Sequence, residues 1–383
     1  MIYYGRQDIN QDDIEAVRAV LTSDFLTQGP AIERFEKTVA SYCGAKYAVA
    51  VCNATAALHI ACRAAGLKQG DVLWTAPNTF VASANCGLYC GSDVDFVDID
   101  AQTYNMSTQE LEKKLASSAK KPKVLVPVHF SGQPCDMEQI HRLAKDHNIT
   151  IVEDASHAIG AEYKGERIGS CKYSDMTVFS FHPVKIITTG EGGMVLTNNP
   201  DLYEKLRLYR SHGITRDPNL MSCNDGSWYY EQIDLGYNYR VTDMQAALGT
   251  SQMKRLPEFL QRRRYLAKRY DELLADLPLT LPYQMEGTNS SWHLYVACFR
   301  EDASLTKKER LFQEMKKHGI TLNMHYIPVH LQPYYQNIGF VHGDFPVSEA
   351  YYEKAFTLPL YYGLSDEEQV TVVEALRDSL SGI

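Results

Sequence analysis

IVEDASHAIGAEY at 151–163 and VFSFHPVKIITTGEGG at 178–193 decide the fold. Each opens on a short apolar run rich in β-branched residues and breaks into a polar loop, the pattern of a buried strand. The first strand ends on Asp154. After the second stands Lys185, flanked by Pro183 and Ile186 and not by other charges. In open α/β sheets, ligands collect at the carboxyl ends of the strands, and the pattern places both residues there.

Outward from this pair the alternation continues. YAVAV (47–51), DVLW (71–74), DVDFVDI (93–99), KVLVPV (123–128), TIVED (150–154), MTVFSF (176–181) and GMVLT (193–197) read as strands. Helical stretches stand between the first five, at 55–66, 79–90, 107–115 and 136–147. This predicts an α/β fold with a mostly parallel seven-stranded sheet and helices on both faces. From residue 241 the character changes. Two long helices, 241–255 and 258–274, are expected on either side of Pro257. A smaller α+β set follows: a strand at 294–299, a helix at 306–318, a strand-like run at 320–326 and a terminal helix at 366–380. The expected division is a large domain over 1–255 and a small C-terminal domain over 256–383.

Composition sets the outer limits. The 383 residues are 45% hydrophobic and 22% charged, with net charge −9. That is ordinary globular usage and argues against a nucleic-acid binder, which needs a cationic face. Nine cysteines, an odd number without a C-x-x-C pair, argue against a disulfide framework or a zinc ribbon and favour a reducing cytoplasm. MIYYGRQDINQDD carries no secretory signal pattern. The most apolar window, 47–67, is interrupted by Asn53, His59 and Arg63, which a membrane span rarely tolerates.

A strand-end carboxylate and amine suit pyridoxal phosphate. The lysine forms a Schiff base with its aldehyde, and the aspartate keeps the pyridinium nitrogen protonated. Desolvation lowers a lysine pKa and frees the amine for attack. The same spacing also suits a helix-capping aspartate and a surface lysine, and spacing alone leaves the two readings even. A phosphate needs a cradle. Cys52 to Ala57 follow the first strand and open a helix whose N-terminus favours an anion, with hydroxyls at Thr55 and Ser180. An ordinary strand–helix turn with a threonine cap would look the same. Phe80, in APNTFVAS, opens the next helix as a ring to stack on a planar cofactor or as a core aromatic. His157 is one turn past Asp154, as a ring partner or a structural histidine.

Together these segments resemble the DegT/DnrJ/EryC1/StrS family, the fold-type I sugar aminotransferases. The resemblance rests on LTQGP (26–30), NATAAL (53–58), Glu153-Asp154 with His157, SFHPVK (180–185), GEGG (190–193), SHG (211–213) and GYNYR (236–240). It implies that Lys185 bonds the cofactor and shuttles the proton. Asp154 would hold the pyridinium, His157 the ring hydroxyl, and Phe80 the ring face. Ala54, Thr55, Ser180 and Asn238 would bind phosphate. It further implies a homodimer with shared active sites, in which Asn238 reaches the neighbouring subunit's site. The nucleotide-sugar substrate would meet Tyr4, Asp24, Phe25, Leu26 and Thr27 near the N-terminus, with Asn238. Asn323, Met324, His325 and Tyr326 would meet it from the small domain, though these four also suit a half-buried strand. Arg240 and His330 are weaker candidates. YYGRQDIN at the start, SFHPVK and NMHYIPVH (323–330) look most like the branch that aminates C4 of a UDP-4-keto-6-deoxy-N-acetylhexosamine in pseudaminic acid biosynthesis, with L-glutamate as expected donor.

Rival readings fare worse. A nicotinamide-dependent oxidoreductase needs a glycine-rich turn after the first strand, and here that turn is VCNATAAL. A metallohydrolase would show H-E-x-x-H, which is missing, and no metal site is expected. A silent nucleotide-sugar sensor on the same fold is disfavoured because both Asp154 and Lys185 are kept. The family branch that replaces the lysine with histidine performs dehydration, so Lys185 favours transamination.

Overall fold

A computed structural model describes residues 1–300 and 304–382. Its central sheet has seven strands: β1 (Tyr47–Val51), β2 (Val72–Thr75), β3 (Asp93–Phe96), β4 (Val124–Val126), β5 (Thr150–Asp154), β6 (Met176–Ser180) and β7 (Gly193–Thr197). Their order across the sheet is β1-β7-β6-β5-β4-β2-β3. From β6 to β3 every pairing is parallel. β7 runs antiparallel to both of its neighbours. Its direction follows from its connection: no helix intervenes between β6 and β7, only loop 181–192, and a parallel return would need a crossover. That loop carries Lys185.

Alternate residues of each strand enter opposite apolar layers, as the two-residue period of a strand requires. Ala48, Ala50, Ile151 and Phe179 face one cluster. Val49, Val51, Val152 and Val178 face the other. With both faces covered, the strands read as continuous apolar runs, which is why they were visible in the sequence.

The expected break at Pro257 is absent. One helix runs from Asp243 to Leu273 with Pro257 inside it, opened by a Thr242–Gln245 capping box. A proline within a helix costs roughly 3 kcal/mol. Burial of Leu256, Phe259 and Leu260 around it, at roughly 1.5–3 kcal/mol for each side chain of this kind, outweighs that cost. The helix packs against Gln11–Leu21 and Pro30–Cys43 and reaches a third apolar cluster at Leu266.

Beyond it, β8 (Leu279–Thr280), β9 (Tyr295–Phe299) and β10 (Ala355–Leu358) form an antiparallel sheet. Helices Leu305–Lys317 and Asp366–Ser381 add residues to the cluster behind it. The run 320–326 is not a strand; it makes single bridges from Ile320 to Ile2 and from Asn323 to Thr357. The reason is local. The amide of Met324 donates to the Asn323 side chain (2.8 Å) and that of Tyr326 to the Asn78 side chain (3.2 Å), so these donors are spent on side chains. Among the described residues, no helix is long and apolar enough to cross a membrane.

Candidate active site

The carboxyl ends of β5 and β6 open on a cavity of about 530 Å³. Asp154, Ser180 and Lys185 line it. Asp154 is buried and caps no helix. Its Oδ2 accepts from the Ser83 hydroxyl (2.6 Å), and its Oδ1 from the hydroxyl (2.6 Å) and amide (3.1 Å) of Ser156. Lys185 is not a solvent lysine either. Burial pushes its amine down to about 8, against the opposing pull of Asp154. A pKa near 8 leaves about a quarter of such amines unprotonated at pH 7.5, against about 0.1% for an ordinary lysine.

At another wall of the cavity begins helix Ala54–Ala64. Asn53 caps it, its side-chain oxygen accepting from the Ala56 amide (2.9 Å). The amides of Ala54 and Thr55 precede the first intrahelical hydrogen bond and have no acceptor within the helix. Gly193, at the start of β7, makes this turn possible: a Cβ there would sit 2.5 Å from the Asn53 carbonyl and 2.7 Å from the Ala54 nitrogen. The close approach keeps the cradle at the sheet edge beside Ser180, the register partner of Gly193.

Three buried histidines complete the wall. The Nδ1 of His157 accepts from the Ser131 amide (3.2 Å), so its proton sits on Nε2, 3.1 Å from the Tyr326 hydroxyl. His325 Nδ1 lies 2.8 Å from Thr357 Oγ1. His293 Nε2 lies 3.4 Å from Lys185 Nζ. Burial, reinforced by the Lys185 charge, pushes all three imidazoles well below their ordinary value, His325 to about 3. They are therefore neutral, and Lys185 carries the titratable charge among them.

Of the residues expected from sequence, Lys185, Asp154, His157, Ala54, Thr55, Phe80, Ser180, Tyr4, Asn323, Met324, His325 and Tyr326 meet around this one cavity. Phe80 does not open a helix; it stands before Ala82–Tyr89 and lies at the mouth, 58% exposed. Asp24, Phe25, Leu26, Thr27 and Asn238 are exposed and lie outside the cavity of their own chain. Thr27 bridges Thr242, and Asn238 bridges Ser211. Arg240 bridges Val51. His330 is not a site residue. It is fully buried against Glu349 (2.8 Å). Sequence reasoning missed His293, Ser83 and Ser156. The cap of helix Ala54–Ala64 is Asn53 and not the threonine expected from sequence; an Asn before an apolar run is the signal that could have found it. His293, in SSWHLYV, gives no local signal.

The chain matches the DegT/DnrJ/EryC1/StrS aminotransferase family over residues 7–377. It belongs to that family. It is 40% identical to the spore coat polysaccharide biosynthesis protein SpsC of Bacillus subtilis, over 99% of this chain and 97% of that protein. It is 36% identical to the UDP-4-amino-4,6-dideoxy-N-acetyl-beta-L-altrosamine transaminase of Campylobacter jejuni, over 100% and 98%. Among solved structures, the putative sugar aminotransferase Spr1654 of Streptococcus pneumoniae, in its PMP form, superposes with a TM-score of 0.92 at 32% identity, covering 99% of both chains. The chain is thus a sugar aminotransferase dependent on pyridoxal 5′-phosphate. The cavity fits that group: an anion cradle at a helix N-terminus, a buried carboxylate for a ring nitrogen, and a desolvated amine.

Proposed function

We propose that this chain transfers an amino group from L-glutamate to C4 of a UDP-4-keto-6-deoxy-N-acetylhexosamine, a step of pseudaminic acid or related nucleotide-sugar biosynthesis. The observation that carries the reading is the opening of Lys185, Asp154 and the Ala54–Thr55 amides onto one cavity. The named transaminase relative supports the sugar and the position aminated.

Bound pyridoxal phosphate would supply an electron sink for the carbon that loses its proton. The protein residues do the rest. The Ala54 and Thr55 amides and the Ser180 hydroxyl hold the phosphate. The Asp154 carboxylate, fixed by Ser83 and Ser156, pairs with the ring nitrogen and keeps it cationic. His157 donates through Nε2 toward the ring oxygen, and Phe80 covers the ring at the mouth. Lys185 would hold the cofactor as a neutral amine and would be freed when the donor's amine takes its place. The freed amine would then carry the proton from the donor Cα to the cofactor carbon that receives the amino group, and would move it in the opposite sense for the sugar. Such a base works best with a pKa near the working pH.

Tyr4 and Asn323 to Tyr326 would face the sugar from their own chain. Asn238 and the 24–27 segment would act across a homodimer, each subunit completing its neighbour's site. All nine cysteines are free thiols, which supports the cytoplasm.

The higher identity to SpsC favours a second reading, another UDP- or dTDP-linked keto sugar destined for a surface polysaccharide. A panel of UDP- and dTDP-4-keto sugars with L-glutamate, read by mass spectrometry, separates the two. Amination of the UDP-N-acetyl substrate at C4 supports the first. Amination only of other keto sugars replaces it with the second.

A further inference from the structure

We infer that His293 is a positioning residue for the reacting amine: its neutral imidazole accepts one N–H of Lys185 through Nε2 and fixes the direction of the others. The inference rests on Lys185 being the amine that takes the cofactor.

The geometry carries it. The His293 Nε2 to Lys185 Nζ distance is 3.4 Å, long for a hydrogen bond, as is common in active sites before substrate binds. The backbone of residue 293 is held on both sides. The His293 amide donates to the Ser131 carbonyl (2.9 Å). Its own carbonyl accepts from the Arg263 guanidinium (3.2 Å), which also holds the carbonyls of Trp292 (3.2 Å) and Leu360 (3.0 Å). Arg263 comes from the long helix and Ser131 from the loop after β4, so two elements clamp residue 293. The His157 ring packs against the imidazole at 4.4 Å.

Burial opposes protonation of His293 most, and the Lys185 and Arg263 charges oppose it further; the neighbouring His157 and His325, themselves neutral, would oppose it if protonated. An imidazole kept neutral beside an ammonium can only accept. Accepting at Nε2 puts the ring proton on Nδ1, and that atom is buried and finds no partner among the described residues. The buried, unmatched Nδ1 is the cost of holding the ring in this direction. The return is an amine whose remaining bonds point into the cavity, as the proposed proton shuttle requires.

Two experiments test the assignment. The first uses the unaltered enzyme, cofactor-free and in its pyridoxamine form, with ¹⁵N-histidine labelling; the His293 signal is assigned by its loss in His293→Gln. Between pH 6 and 8 the expected signature is the Nδ1–H tautomer with an acceptor Nε2. An Nε2–H tautomer or an imidazolium overturns the inference. The second follows the pH dependence of capture of added pyridoxal phosphate by the cofactor-free protein, read as the visible band. The wild-type midpoint should lie near that of Lys185, about 8. His293→Leu removes the acceptor that stabilises the ammonium, so the midpoint should fall by about one unit. His293→Gln, which keeps an acceptor, should restore it. Equal midpoints in all three proteins overturn the inference. If the leucine variant does not fold, the tautomer result decides. Lys185→Ala tests the underlying reading separately: it should abolish the band, whereas His293 variants should keep it.

Discussion

Replacing Gly193 with alanine tests the phosphate cradle without touching any side chain in it. The new Cβ would sit 2.5 Å from the Asn53 carbonyl carbon and oxygen and 2.7 Å from the Ala54 nitrogen. Every atom it meets is backbone, so no flexible side chain can swing away. Either the start of β7 or the first turn of helix Ala54–Ala64 must move. Overpacking of this kind costs about 1–3 kcal/mol. If the displaced turn carries that cost into binding, the cofactor dissociation constant rises about 5- to 150-fold. Gly190→Ala is the control: its φ is +81° but nothing lies within 4 Å of its Cβ. It should lose about 1–2 kcal/mol of stability through backbone strain and bind cofactor as wild type does. The assay is titration of cofactor-free protein with pyridoxal phosphate by visible absorbance. Affinity within twofold of wild type for Gly193→Ala, or an equal loss for Gly190→Ala, refutes the reasoning.

Lys185→Met should stabilise the cofactor-free protein. The unfolded chain keeps this proton to about pH 10.5 and the folded chain only to about 8. The unfolded state therefore binds more protons between those values, and stability rises with pH across that window. Below pH 8 the penalty is full, up to about 3 kcal/mol, and urea unfolding at pH 7 and pH 10.5 should show a gain at the lower pH that fades at the higher. Asp154→Asn should still take up the cofactor but slow the glutamate-driven loss of the visible band by on the order of 10²-fold or more; stopped-flow absorbance measures it, and an unchanged rate counts against the ring-nitrogen role. Asn238→Ala in a mixture with Lys185→Ala subunits should recover activity in hybrid dimers if sites are shared, and recover none if each chain is self-sufficient.

The sheet was legible because its strands are buried on both faces, so runs such as YAVAV and MTVFSF stand out from any helical period. The lysine and aspartate were legible because strand ends in open sheets collect ligands. The direction of β7 depended on the lack of a crossover helix between 181 and 192, which local pattern alone left unread. Pro257 misled because packing around Leu256 and Phe259 outweighs a local helix breaker. His293 was invisible for a different reason: it is 108 residues from Lys185 in the chain, and only the fold brings them together. The side chains of 323–326 reached the cavity as expected, although the backbone there is not a strand.

The central claim is that Lys185 is the amine joined to the cofactor. Borohydride reduction of the yellow protein, proteolysis and mass spectrometry test it most directly. A pyridoxyl mass confined to the peptide carrying Lys185 is the predicted result; the same mass on another lysine, or none on any, would contradict it.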